Sequence, residues 1–271
     1  MRPVTSLDQP RAIGAALVSS KARAGQSHID KLRQSGALKL LFPRSSGTLE
    51  AVLINTAGGI TGGDVYSIDA QAGAGSELRV TTQAAERAYR AQPGQTGTMT
   101  TKLSVSNDAS LQWLPQETIL FEGAALTRRL DVDLDESARF LMVEPVLFGR
   151  RAMGEDLHDL RFDDRVDIRR NGTPIYRDGV RLLGDVAAQL DRPAVAAGAR
   201  AMANLVYVAP DAAALLTELR GLIGTAGGVS LLNDTVLVAR ILAPDGFTLR
   251  RSLLPALDRL TTNRLPPSWR L

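Results

Sequence analysis

Over its first two thirds this chain alternates apolar and polar residues with a period of two, and the alternation restarts about every ten residues. That pattern specifies strands with one face packed and one face wet. Leu78, Val80 and Thr82 interleave with Arg79 and Thr81, and Leu130, Val132 and Leu134 interleave with Asp131, Asp133 and Asp135. Both are expected to be half-buried strands. Arg165–Arg170 and Thr173–Asp178 flank Asn171-Gly172, the dipeptide that fills both positive-φ positions of a type I′ hairpin turn. Gly73-Ala74-Gly75-Ser76, Pro93-Gly94 and Ser106-Asn107-Asp108 read as turns. With no helical segment between these strands, antiparallel sheets are expected in preference to βαβ units.

Helical periodicity comes late. After Asp211, a plausible N-cap, apolar residues fall at Leu215, Leu216, Leu219, Leu222 and Ile223, and Gly224 supplies a stop. A second stripe is Leu253, Leu254, Leu257 and Leu260, with Pro255 expected in its first turn. Val229–Ala243, between them, reads as strand. The fold class is therefore mainly β with two helices in the C-terminal third. No linker, charge block or repeat divides the chain, so residues 1–271 are expected to form a single domain.

Composition excludes several chemistries. There are no cysteines, which removes disulfides, thiolate metal sites and cysteine nucleophiles. His28 and His158 are the only histidines, too few for a multi-histidine metal centre. The net charge is +3 and aromatics make up 4%, without the basic, aromatic-interleaved cluster that nucleic acid requires. No stretch is apolar enough to span a membrane as a helix. The run Ala12–Val18 is short, as a strand core is, and a cytoplasmic location is expected.

Thr56–Asp64 contains two Gly pairs, Gly58-Gly59 and Gly62-Gly63. Gly58 and Gly63 have P-loop spacing, but Asp64 stands where the phosphate-binding lysine belongs. Gly59, Gly62 and Gly63 are read as structural, serving a tight crossing or bulge between strands. Asp64 either bonds nearby amides or offers a surface carboxylate to a cation or partner. Glu117 and Glu122, and Glu144 and Glu155, form two pairs that share a face only across an intervening turn. Glu144 interrupts the apolar run Phe140–Phe148, so its carboxylate must be paired, hydrated or functional. His158, beside Glu155, Asp156 and Asp159, allows a weak metal contact. No Gly-x-Ser-x-Gly motif or recognisable triad is present.

Four ordered segments carry a resemblance. Gly58-Gly-Ile-Thr-Gly-Gly-Asp64 with Leu78–Arg90 resembles the paired hallmark of the urease accessory protein family UreD/UreH. Trp113–Ala124 is similar to the family's Leu-Pro-x-Glu segment, and Glu144–Glu155 to its Gly-Arg-x-x-x-Gly-Glu segment. The ending Pro266-Pro-Ser-Trp269 resembles a Pro-Arg-x-Trp close. The family often has lysine where Arg87 stands, and the closing arginine is here Ser268.

The resemblance covers roughly residues 25–270. It implies a mostly antiparallel β fold and a non-enzymatic maturation factor that binds apo-urease. With a second accessory protein (UreF type) and a GTPase (UreG type), such a factor supports nickel insertion into urease. No cofactor is expected to be bound tightly, and nickel is handled transiently as cargo. On this reading Asp64, Arg87, Arg90, Glu117, Glu144 and Glu155 form a partner or transit surface, and Glu144, Glu155 and His158 are the candidates for weak metal contact. The competing readings are a β-rich carbohydrate-active hydrolase, which needs two convergent carboxylates in a cleft, and a metal-independent binding module.

Overall fold

The computed structural model describes residues 10–270. The first sheet has seven strands: β1 (Ile13–Arg23), β2 (Gln26–Gly36), β5 (Val65–Ala72), β8 (Gly97–Val105), β11 (Ala125–Leu134), β13 (Leu160–Arg170) and β14 (Thr173–Gly184). The second has ten: β3 (Leu38–Leu41), β4 (Leu49–Asn55), β6 (Glu77–Thr82), β7 (Glu86–Ala88), β9 (Ser110–Leu114), β10 (Thr118–Leu120), β12 (Arg139–Phe148), β15 (Ala201–Val208), β16 (Gly227–Asn233) and β17 (Val236–Ala243). The helices are α1 (Val186–Asp191), α2 (Ala212–Ile223) and α3 (Gly246–Leu260).

The expected antiparallel architecture is corrected here. β1, β5, β8, β11 and β13 are parallel neighbours in the first sheet, as are β4, β6, β9 and β12 in the second. Within this parallel stack the chain passes back and forth between the two sheets, and a strand pairs with its counterpart one coil later, as β5 with β8 and β6 with β9, in the manner of a solenoid. Parallel pairing normally needs a long crossover, and here the strand in the opposite sheet serves as that crossover. Antiparallel pairing is confined to the ends: β1–β2, β3–β4, β13–β14, β12–β15 and β15–β17–β16.

Turns stack as the strands do. The Gly75 amide donates to the Asn107 carbonyl at 3.2 Å, the Asn107 amide to Asp135 at 3.1 Å, and the Ser137 amide to the Asn107 side chain at 3.2 Å. Asn171 and Gly172 have φ of +48° and +76°, and β13–β14 is the hairpin the dipeptide predicts.

Two cores result. One fills the space between the sheets, with Ile68, Leu78, Leu103, Leu111, Val132, Phe140 and Phe162. The other lies between the outer face of the second sheet and the helices, with Leu141, Leu205, Leu215, Leu219, Leu249, Leu253 and Leu257. Covering both faces explains why β15 is buried along its whole length. It also explains why Leu78–Thr82 is not half-wet as expected: Arg79 and Thr81 are buried too.

Helix boundaries also differ from expectation. The helix carrying Leu253 begins at Gly246, capped by Asp245, whose Oδ1 accepts from the Thr248 amide at 2.7 Å. Pro255 is therefore in its interior. Asp211 occupies the N-cap position of α2, but its carboxylate accepts from Arg139 (2.8 Å) and Tyr207 (2.9 Å) instead of from helix amides. Gly224 ends α2 as expected, and the short α1 was not anticipated. The run Ala12–Val18 falls largely in β1. Among the described residues no helix is long and apolar enough to cross a membrane.

Candidate functional site

Three of the four segments of the resemblance meet in one ladder, and the fourth, ending at Trp269, packs in the other core. Ile60 bridges Ala88 in parallel, Ala88 of β7 pairs with Leu120 of β10, and Leu120 pairs with Phe148 of β12. Segments far apart in sequence thus become successive rungs of one small ladder.

The glycine segment is held by Asp64, which is 4% exposed. Its Oδ1 accepts from the Ala12 amide and its Oδ2 from the Thr61 amide, both at 2.8 Å. Of the two readings for Asp64, the amide-bonding one describes the geometry, and no surface carboxylate is available there. The structural glycines work mainly by close approach. A Cβ on Gly59 would lie 2.3 Å from the Tyr89 ring and 2.7 Å from the Arg87 carbonyl, whereas Gly63 needs its φ of +86°.

Behind this ladder, between the sheets, is a chamber of about 210 Å³ whose wall includes Trp113, Glu86, Gln116, Thr118, Arg128 and Glu144. Arg128 is its centre. Its Nε donates to Asp164 Oδ1 at 2.9 Å and its Nη2 to Oδ2 at 2.6 Å, a bidentate pair. Nη2 is also 3.3 Å from Glu144 Oε2, and Nη1 donates to Thr118 at 3.3 Å. The other Glu144 oxygen accepts from the Trp113 indole at 3.1 Å. Two carboxylates therefore share one guanidinium, all in the interior. Burial pushes the Glu144 carboxyl up; Arg128 opposes this, Asp164 adds to it, and the net shift is upward. Burial disfavours the charged form of Arg128, but Asp164 and Glu144 outweigh it and raise its pKa. Glu86, also in the wall, is raised mainly by burial despite a 3.1 Å hydrogen bond from Asn55.

Glu144 therefore pairs with Arg128. Arg150 pairs instead with Glu155, through Nε (3.0 Å), Nη2 (3.0 Å) and its own amide (2.9 Å). That bond lowers the Glu155 pKa. The Arg150 guanidinium lies 4.2 Å from the Phe121 ring centre, and Tyr89 meets the same ring edge-on at 4.9 Å. Glu122 accepts from the His158 amide at 2.8 Å and is 4.0 Å from Arg90, which is exposed, as is Arg87. Glu155, His158 and Arg90 share a separate open cleft, so the three candidates for weak metal contact do not converge: Glu144 is in the chamber. Among the described residues no group of three or more His, Cys, Asp or Glu is placed to hold a metal ion. Glu117, 5% exposed, is gripped by Arg250 of α3 through bonds of 2.6 and 2.9 Å. Asp64 and Glu117 are thus interior residues outside any common surface with the arginines, whereas Glu144, also buried, shares the chamber wall with Arg87, and Arg90 lies in the separate cleft with Glu155.

Arg128, Asp164 and Glu86 were missed in the sequence, though two left a signal. Arg128 has the core-facing parity of Leu126, Leu130 and Val132, and Asp164 that of Phe162, Val166 and Ile168. A charge in an apolar row must find a partner.

Stacked parallel coils, a helical cover on one sheet and a charged interior chamber at the motif end define the class, a solenoid-like β protein built around buried ion pairs. The chain belongs to the urease accessory protein family UreD, whose family model matches residues 13–270. It is 63% identical over 271 residues to the urease accessory protein UreD of Roseobacter denitrificans, covering 100% of this chain and 99% of that one. The corresponding protein of Ruegeria pomeroyi is 54% identical over 244 residues, covering 90% of this chain and 95% of its own. That of Agrobacterium fabrum is 45% identical over 265 residues, with 97% and 93% covered.

Proposed function

We propose that this protein is a non-catalytic, cytoplasmic urease maturation factor acting as one unit over residues 1–271. It binds apo-urease and, with a UreF-type accessory protein and a UreG-type GTPase, supports nickel insertion. The observation that carries this reading is the near full-length membership of the family together with the gathering of three of its motif segments around one chamber. Nickel is cargo here. Glu144 and Glu86, carboxyls whose charged forms burial disfavours, offer oxygen ligands that a passing divalent cation can use briefly. Arg128 limits that affinity by competing for the Glu144 oxygen. The hydrolase reading is weaker, because Glu144 and Asp164 are both tied to one guanidinium and so are not free for acid/base work.

The test is co-expression of a urease gene cluster with and without this chain, measuring urease activity and nickel per urease. Omission should leave urease assembled, inactive and nickel-poor. Full activity without the chain contradicts the proposal.

A further inference from the structure

A second cavity, of about 190 Å³, lies where the end of α3 meets the outer face of the second sheet. Arg79 of β6, Ser110 of β9, Arg139 of β12 and Arg264, just past α3, contribute to its wall. The arginines are not equally satisfied. Arg139 is committed to Asp211 at 2.8 Å and Tyr207 at 3.0 Å. Arg79, 6% exposed, donates through Nε to Gln112 at 2.7 Å and has a long 3.4 Å contact from Nη1 to Glu50. Its Nη2 has no partner among the described residues and is not fully sealed from solvent. Arg264 is exposed and has neither a side-chain hydrogen bond nor an ion pair among the described residues. Burial lowers the Arg79 pKa; Glu50 opposes this, and the nearby Arg264 charge lowers it further.

Placing a free guanidinium beside a buried one costs electrostatic energy that an anion between them would remove. Glu77, the acidic residue of this wall, offsets part of the Arg79 charge from a distance but accepts from the Thr48 hydroxyl at 2.7 Å and makes no ion pair with Arg79 or Arg264 among the described residues. Ser110, whose hydroxyl has no partner among the described residues, adds a neutral donor to the same wall. We propose that this cavity binds an oxyanion of the phosphate or carboxylate class, with Arg79 and Arg264 as its cationic contacts. Planar guanidinium forks suit the oxygens of such a group. The inference is independent of the chamber and of nickel.

The experiment is thermal unfolding of the full chain at fixed pH and ionic strength, titrated in turn with chloride, inorganic phosphate and glutarate. A saturable rise in Tm with phosphate or glutarate, absent with chloride, is expected. Response to phosphate alone identifies a free phosphate as the ligand; response to glutarate alone identifies a carboxylate of the kind a protein partner presents. Either supports the site. Arg264→Gln should melt like the wild type in chloride and bind the responding anion at least about tenfold more weakly. Arg79→Gln disturbs the pair with Glu50 as well, so the exposed Arg264 decides the matter. No saturable shift with either anion, or an unchanged shift in Arg264→Gln, overturns the proposal.

Discussion

Arg128 and Glu144 meet in the interior with Nη2 3.3 Å from Oε2, although the same guanidinium is already bound bidentately to Asp164. One cation thus serves two carboxylates, and Glu144 holds the weaker share. The cluster holds two carboxyls against one guanidinium, and that shortage of positive charge adds to burial in pushing the Glu144 carboxyl up.

Arg128→Met is expected to destabilise the protein by about 3–5 kcal/mol, because it leaves Asp164 and Glu144 buried without a cation. Urea denaturation checks this. A loss below about 1 kcal/mol would mean that the carboxylates are solvated in solution and the pair is dispensable.

Glu144 also sets a pH dependence. Its carboxyl has a higher pKa in the folded chain than in the unfolded one. Stability from this group is therefore intact below the unfolded value and falls as pH rises through the window between the two, by up to about 1.4 kcal/mol per pH step. Glu144→Gln cannot titrate. The stability of the wild type minus that of the variant should decline with rising pH across that window, and a difference that is flat or rises contradicts the raised pKa.

How much of this was legible follows from what sequence patterns encode. Alternation in Leu130–Asp135 and the Asn171-Gly172 turn report local geometry, and both elements are present. Parallel pairing is not local: the same alternating strand serves either partner, and only the stacking of turns such as Asn107 with Asp135 decides. Glu144 stood out as a charge in an apolar run, but its partner Arg128 lay sixteen residues upstream in an alternating strand. The parity of that strand, extended back from Leu130, shows Arg128 facing inward.

Gly59→Ala tests the close approach at the motif ladder. Its new methyl would press on the Tyr89 ring and the Arg87 carbonyl, and since backbone cannot yield cheaply, a loss of about 1–3 kcal/mol is expected. Equal or higher thermal stability would show that the glycine is not needed for packing.

The C-terminal tail is a clasp. Trp269, 1% exposed, donates its indole N–H to the Leu114 carbonyl at 3.0 Å, and Arg250 lies 5.4 Å from its ring centre while binding Glu117. Trp269→Ala should cost about 3–5 kcal/mol through the cavity it leaves, the Leu114 carbonyl keeping its bond from the Thr81 hydroxyl at 2.8 Å. The clasp rests on Trp269 and Arg250. Wild-type stability in Trp269→Ala would contradict it.

The central claim, that the chamber carboxylate takes part in nickel delivery, is tested most directly by nickel content. Urease is co-expressed with its accessory proteins and either wild-type chain or Glu144→Gln, then purified and assayed for nickel per active site. The substitution keeps the volume and one hydrogen-bond acceptor while removing the charge. The account predicts a folded Glu144→Gln protein that still copurifies with apo-urease but leaves it nickel-poor. Full nickel loading by a folded, urease-bound Glu144→Gln protein would contradict it.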